Sequence, residues 1–297
     1  MSSKVRMIFR RWLVTPLILL LLTMPLIGCK QVPIIRDVIS ARDVEKSAEA
    51  GDVESQYQIG MHYSNGRGVL QNYSTAAKWF KKASEGEHTG AQFMYGAALY
   101  AGQGVEQDHR GAVKWLSKAA AKGHMRAQNL LGDAYLNGRG VSKDIPWGIR
   151  WYGMAANQGH DRAKFTLGVA FAQGLGLDKN PIEAVKWLHL SQRAGLSGVE
   201  PLLGKLQQKM SGADYKRGLS AADGWKARKM SGIYNRPTMR YIQYVLGRIG
   251  YPAGYADGIE GPMTRHAVTR FLGDRQSVGL GREQLVKLLR KESVRVK

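Results

Sequence analysis

The chain has 297 residues and carries 44 Lys and Arg against 23 Asp and Glu, a net charge of +21. That length admits two domains. The one cysteine, Cys29, excludes an intramolecular disulfide framework and a cysteine-built metal site. The positive excess is uneven: residues 1–28 carry +4 and no acid, residues 48–210 carry 19 basic against 13 acidic side chains, and residues 211–297 carry 17 against 7. A basic C-terminal part fits an anionic partner such as nucleic acid, lipid headgroups or a polyanionic wall, or else a solvated basic surface.

Lys4, Arg6, Arg10 and Arg11 precede an apolar run from Trp12 to Leu22, and Leu26-Ile27-Gly28 leads into Cys29. This is the layout of a secretory signal. The run is broken by Pro16 and Pro25 and is short for a membrane-spanning helix. Its L-I-G-C end resembles a bacterial lipobox, which implies that residues 1–28 are a lipoprotein signal peptide and that Cys29 carries the lipid. Lys30 stands where an Asp would imply retention at the inner membrane, so the resemblance places the chain in the cell envelope, facing the periplasm and anchored to the outer rather than the inner membrane. A nucleic-acid partner fits poorly with export and is not expected unless the N-terminus is not a signal. Residues 29–40 are expected to be a tether.

Residues 41–230 carry a comb with a 36-residue period. Gly60, Gly96, Gly132, Gly168 and Gly204 form one tooth, Gly68, Gly104, Gly140 and Gly176 a second, and Trp79, Trp115, Trp151 and Trp187 a third. A period of this length signals stacked repeats. Each copy predicts two helices. Ala127, Leu130, Leu131, Ala134 and Tyr135 trace one apolar helical face, and Ala112, Trp115, Leu116 and Ala119 trace another. Asn72, Asp108, Asp144 and Asn180 are the residue types that cap a helix start, and Pro181 fits a first turn. Small residues at 76, 112, 148 and 184, and at 83, 119, 155 and 191, allow close helix approach. Asp43 to Gly51 reads as the end of a second helix, so the array starts with a half-repeat. Residues 213–229, ending Trp225-Lys226-Ala227-Arg228, read as an amphipathic helix that seals the stack.

The pattern A-x-x-x-L-G-x-x-Y-x-x-G-x-G-V, then D, then A-x-x-W-x-x-x-A-A resembles the Sel-one-like repeat, a branch of the tetratricopeptide-like α/α solenoids. The resemblance covers Ala48 to about Lys229. It implies an all-α solenoid of about four to five helical hairpins that binds other proteins and does no chemistry.

The residues offer little against that expectation. The Gly66-x-Gly68 pairs follow a helix, whereas dinucleotide loops follow a strand, so they read as turns. His88, His124 and His160 occupy one repeat position and are expected as surface residues at helix starts. Spread over stacked helices about 8–10 Å apart, they cannot converge on one metal. No serine lies in a G-x-S-x-G setting. No catalytic residue, metal ligand or cofactor is assigned.

Residues 231–236 read as a linker, and 237–297 as a small module of three short helices. Tyr241, Val245, Leu246 and Ile249 trace the first helical face, Ala267, Val268 and Phe271 the second, and Leu285, Leu288 and Leu289 the third. Asp257-Gly258 signals a turn and Gly261-Pro262 a helix entry. The run D-G-I-E-G-P-M-T-R-H-A-V-T-R-F resembles the peptidoglycan-binding-like domain attached to many wall hydrolases. Leu272 stands where that family usually has Gln, and the third helix lacks a second D-G turn. The resemblance implies that Tyr251, Tyr255, Asp257, Thr264 and Arg265 face the wall polymer. A Tyr ring can pack on a sugar, and Arg265 can pair bidentately with a stem-peptide carboxylate. Asp257 also reads as a turn acceptor.

The order anchor, solenoid, wall-type module predicts an envelope lipoprotein scaffold, with peptidoglycan and the membrane as partners and a further protein on the solenoid. Two alternatives stand beside it: a periplasmic regulator that restrains a sensor or wall enzyme, and a peptidoglycan hydrolase without a recognisable site.

Overall fold

A computed structural model describes residues 33–227, 236–251, 253, 262–273 and 282–295. Among them the chain is all-helical, with helical hairpins as its building unit. Two compact units divide it, residues 1–88 and 89–297. The expected signal peptide and Cys29 lie outside the described residues, as does the linker apart from Arg236, which opens a helix. None of the helices described is long and apolar enough to cross a membrane.

The first unit holds α1 (Pro33–Glu49), α2 (Val53–Asn65) and α3 (Tyr73–Glu85). Helix α1 begins at Pro33, so residues 33–40 are helical rather than a tether. Its C-terminal end does the work of a second repeat helix, as the half-repeat reading expects. Gln56 Nε2 donates to Ala48 O at 3.3 Å, and seventy-two residues on Gln128 Nε2 donates to Ala120 O at 3.1 Å. Ala41, Ala48, Ile59 and Trp79 form the core. Tyr63 donates its hydroxyl to Glu45 at 2.8 Å, which ties α2 to α1.

The second unit opens with three hairpins: α4 (Thr89–Ala101) with α5 (His109–Ala121), α6 (Met125–Asn137) with α7 (Ile145–Asn157), and α8 (Asp161–Gln173) with α9 (Pro181–Arg193). Their starts are capped as the sequence predicts. The side-chain oxygens of Asp108, Asp144 and Asn180 accept from the backbone N–H three residues on at 2.9–3.0 Å, and Asn72 does the same for α3. The histidines cap as well. His124 and His160 accept from the N–H of Ala127 and Ala163 at 3.3 and 3.2 Å. Both are half-buried rather than surface residues, and Phe93 of the preceding hairpin stacks on His124 at 4.4 Å. In the first unit His88 lies on Tyr57 at 4.3 Å and 3.2 Å from Glu54.

The two glycine teeth have different tasks. A Cβ on Gly60 would stand 2.6 Å from the Phe80 ring, and one on Gly96, Gly132 or Gly168 would stand 2.8–2.9 Å from Leu116, Tyr152 or Leu188. The first tooth therefore lets the two helices of one hairpin close on each other. The second tooth spaces the hairpins. Gly140 has φ +72°, and a Cβ there would meet the backbone of His109, at the start of the preceding second helix. Gly176 meets Ile145 and Pro146 in the same way. Gly204 keeps the register but has open space around it, so it is a tooth in number only.

Two further helices follow, α10 (Glu200–Lys209) and α11 (Gly212–Asp223). Helix α11 lies on α9, with Gly218 against Val185. It ends at Asp223, short of the expected 229, and Trp225 follows in irregular backbone with its ring 5.9 Å from Trp187. Helices α12 (Arg236–Arg248), α13 (Pro262–Gly273) and α14 (Arg282–Arg295) complete the unit. Ile242, Val245, Leu246, Phe271, Leu285 and Leu289 bury their side chains together and join one core with α5, α6 and α7.

Two measurements check this account. Gly132→Val should lower stability by about 1–3 kcal/mol through overpacking, whereas Gly204→Ala should raise it by about 0.5–1 kcal/mol through helix propensity, both read from urea midpoints. Burial lowers the pKa of His124 and of His160. A folded-state pKa below the unfolded one means the stability is present above about pH 6.5 and is lost as pH falls toward the folded pKa. His124→Asn, which keeps a cap, should flatten that acid limb in a pH series of thermal melts.

Candidate functional site

The third repeat departs from its siblings on two faces. The first is on α7, whose sequence, Ile-Pro-Trp-Gly-Ile-Arg-Trp-Tyr-Gly-Met-Ala-Ala-Asn, buries every residue from Trp147 to Ala156. The matching helices α3, α5 and α9 bury one stripe each. Position 147 is Thr75, Gly111 or Glu183 in the other copies, position 150 is Lys in all three, and position 154 is Lys82, Lys118 or Leu190. A helix apolar on all sides needs cover on all sides, and α12 supplies it.

The cover is built from rings and guanidinium groups. Tyr241 meets Trp147 edge-on at 4.9 Å. Arg290 places its guanidinium 4.4 Å from the Trp147 ring and 4.9 Å from Tyr135, and its Nε lies 3.4 Å from Asp144. Arg240 lies over Phe171 at 4.9 Å and 3.7 Å from the Glu183 carboxylate. Burial pushes the Glu183 pKa up, but Arg240, Lys186 and the Trp187 N–H outweigh it and hold the carboxyl below its usual range.

Arg150 is the centre of this face. It is 5% exposed, with its guanidinium 4.4 Å from both the Trp147 and the Trp151 rings. Its Nε donates to the Thr238 hydroxyl at 2.9 Å, and its buried Nη1 has no acceptor. Burial lowers its pKa to about 9, so it remains a cation at neutral pH. Removing a cation from water costs several kcal/mol, while each ring returns roughly 0.5–2. Trp151 shows a second cost of the change. In the fourth repeat the Trp187 N–H donates to Glu183 at 2.9 Å, but that glutamate is Trp147 in the third, and the buried Trp151 N–H is left without a partner.

The second face is polar. Asn129, Asp133 and Tyr152 stand where the other copies have Tyr or Phe, Met, Ala or Val, and Phe or Leu. Tyr152 donates its hydroxyl to Asp133, and burial with that bond pushes its pKa up. Asn129 Nδ2 donates to Asp133 at 3.4 Å, while its buried Oδ1 has no partner. The exposed Arg126 and Arg162 flank the group closely enough to bear on the charge of His160.

Of the residues expected to face peptidoglycan, the structure describes two in full. Tyr251 is half-buried and packs edge-on against Phe271 at 5.4 Å. Thr264 is 2% exposed. Its hydroxyl donates to Ala253 O and accepts from Gln243, both at 3.0 Å, so it ties α13 to α12 and the preceding loop instead of facing a ligand. Arg265 lies on α13, and Tyr255 and Asp257 lie outside the described residues. Among the described residues, no group of three or more His, Cys, Asp or Glu could hold a metal ion. The α7 face was legible in principle, since comparing the four copies at 147 and 154 exposes it.

The Sel1 repeat family model matches residues 53–88, 89–124, 126–160 and 162–196, so the four hairpins are Sel1-like repeats. Among solved structures, the chain is similar to a Sel1 repeat protein from Oxalobacter formigenes at 32% identity and TM-score 0.52, over 57% of this chain and 49% of that one. It is also similar to c5321, a protective antigen present in uropathogenic Escherichia coli strains that displays an SLR fold, at 26% identity and TM-score 0.54, over 85% of this chain and 56% of that one. The chain thus spans about half the length of these structures. No curated protein matches it.

Trp147→Ala should destabilise the second unit by about 3–5 kcal/mol, with faster proteolysis of α12–α14. The exposed, equivalent-face change Lys78→Ala should stay within about 0.5 kcal/mol.

Proposed function

We propose that this chain is an envelope lipoprotein scaffold, lipidated at Cys29, that engages a protein partner through its repeats and peptidoglycan through residues 237–297. Sel1-like repeats suggest a protein-interaction scaffold. The observation that carries the reading is the polar face of the third repeat. Asn129, Asp133 and Tyr152 replace apolar side chains at positions where packing alone favours apolar ones. Asn129 and Tyr152 are buried in the hairpin seam and hold Asp133 at its edge, and the exposed Arg126 and Arg162 nearby are the groups open to a partner, which favours an acidic one.

The wall-binding part rests on the D-G-I-E-G-P-M-T-R-H-A-V-T-R-F run and on the excess of 17 basic over 7 acidic residues in 211–297. With Thr264 committed to the interior, the contacts proposed are Tyr251, Tyr255, Asp257 and Arg265. The anchor rests on Leu26-Ile27-Gly28-Cys29. Helix α12 packs on α7, so the wall-type module and the repeat array meet within the second unit. No reaction is assigned to the chain.

The full chain, extracted from a Gram-negative host, should sediment with purified sacculi, and Arg265→Ala should release about tenfold more protein to the supernatant, as loss of a bidentate pair would. Protein left wholly in the supernatant contradicts wall binding. Intact mass should show an acyl adduct on Cys29, and an unmodified Cys29 contradicts the anchor.

A further inference from the structure

Each repeat ends on a histidine, and the groups around that histidine change along the array. In the first unit, His88 Nε2 lies 3.2 Å from the Glu54 carboxylate, and Tyr57 packs on the imidazole at 4.3 Å. One period on, Gly90 replaces the glutamate, and Phe93 keeps the ring contact with His124 at 4.4 Å. One period further, both neighbours change. Arg126 stands in place of Glu54, and Asn129 in place of Tyr57. The histidine of this seam, His160, still caps its helix by accepting the Ala163 N–H on Nδ1 at 3.2 Å. A neutral imidazole that accepts at Nδ1 carries its proton on Nε2, so Nε2 is a donor.

Donors therefore gather where repeat one pairs a donor with an acid. Arg126 and Arg162 are exposed, and both bear on the charge of His160. Neither guanidinium is ion-paired among the described residues. Two carboxylates also bear on His160, and both are engaged. Asp133 accepts from Tyr152 and from Asn129, and Asp161 accepts from Lys164 at 2.8 Å. With Lys164 offsetting Asp161, two guanidinium groups stand against the single charge of Asp133, and the seam keeps a positive excess. The edge of a guanidinium matches a carboxylate in shape and charge.

We propose that the seam between the third and fourth repeats binds an aspartate or glutamate side chain of a partner protein, its carboxylate placed among Arg126, Arg162 and His160 Nε2. Repeat one supplies that carboxylate from its own chain, as Glu54, whereas here it comes from outside. The partner is an acidic segment, and the seam sets where along the array its carboxylate lies. This deepens the scaffold reading and rests on it, since the site belongs to the polar face of the third repeat. It is independent of wall binding and of the lipid anchor.

Fluorescence anisotropy of dye-labelled hexaglutamate, titrated with the full chain at constant ionic strength, tests it. Binding should saturate, unlabelled hexaglutamine should not compete, and inorganic phosphate should not displace the peptide. Arg126→Glu rebuilds the repeat-one pair, so it should lower the affinity about tenfold or more without lowering Tm. Lys114→Glu makes the same charge change at an exposed site on α5 and should alter the affinity less than about threefold. His160→Asn keeps a cap and removes the Nε2 donor, and should lower the affinity about threefold. If Arg126→Glu fails to fold, His160→Asn decides the matter. Phosphate that displaces the peptide overturns the carboxylate assignment. The proposal is also overturned if Lys114→Glu weakens binding as much as Arg126→Glu, which would mean a diffuse positive field. Hexaglutamate that binds folded Arg126→Glu and His160→Asn as it binds the native chain overturns this site alone and places the acidic partner elsewhere on the scaffold. A native chain that binds no hexaglutamate overturns the site and the acidic partner together.

Discussion

Every hairpin closes on one contact, a glycine on the first helix against a ring or branched side chain twenty positions later. Phe80, Leu116, Tyr152 and Leu188 fill the space that a Cβ at Gly60, Gly96, Gly132 or Gly168 would occupy. That contact sets how close the two helices come, and interiors packed to this density tolerate little added volume. The next spacing follows from it. With each hairpin fixed, Gly140 and Gly176 bring the turn of one repeat onto the backbone that opens the previous second helix. Capping residues then hold those helix starts in place, because their N–H groups have no partner within the helix.

The third repeat keeps this frame and spends its remaining surface differently. Trp147 and Met154 stand where α3 and α5 have a part-buried Thr75 or Gly111 and an exposed lysine, and Tyr241 of α12 packs on Trp147. Arg150 stands where the other copies have lysine. A planar guanidinium can lie between two indole rings and still donate from its edge, which an ammonium cannot do. The same substitutions strand the Trp151 N–H and leave Nη1 without an acceptor. The face thus combines strong apolar cover with unsatisfied donors, the combination expected where a fold gives up local stability for recognition.

Much of this was legible in the sequence. The period, the two helices per repeat, the four Asn or Asp caps and the half-repeat at the start all follow from composition and spacing. The finer errors have physical causes. Gly204 keeps the period, yet no twentieth-position partner follows it on a packed helix. Pro33 opens a helix because proline suits a first turn, so residues 33–40 are not an extended tether. Thr264 read as a ligand contact because its motif is shared with wall-binding modules, but its hydroxyl completes a bond between α12, α13 and Ala253. The docking of α12 on α7 depends on residues far apart in the chain, and only a comparison between repeat copies carries a local trace of it.

The claim that repeat three is a docking face is tested most directly by amide hydrogen exchange. Amides of α7 should exchange more slowly than those of the equivalent helices α5 and α9 in the full chain. Ending the chain at Ala227 should speed exchange in α7 and leave α9 unchanged. Exchange in α7 that is the same with and without α12–α14 would contradict the account.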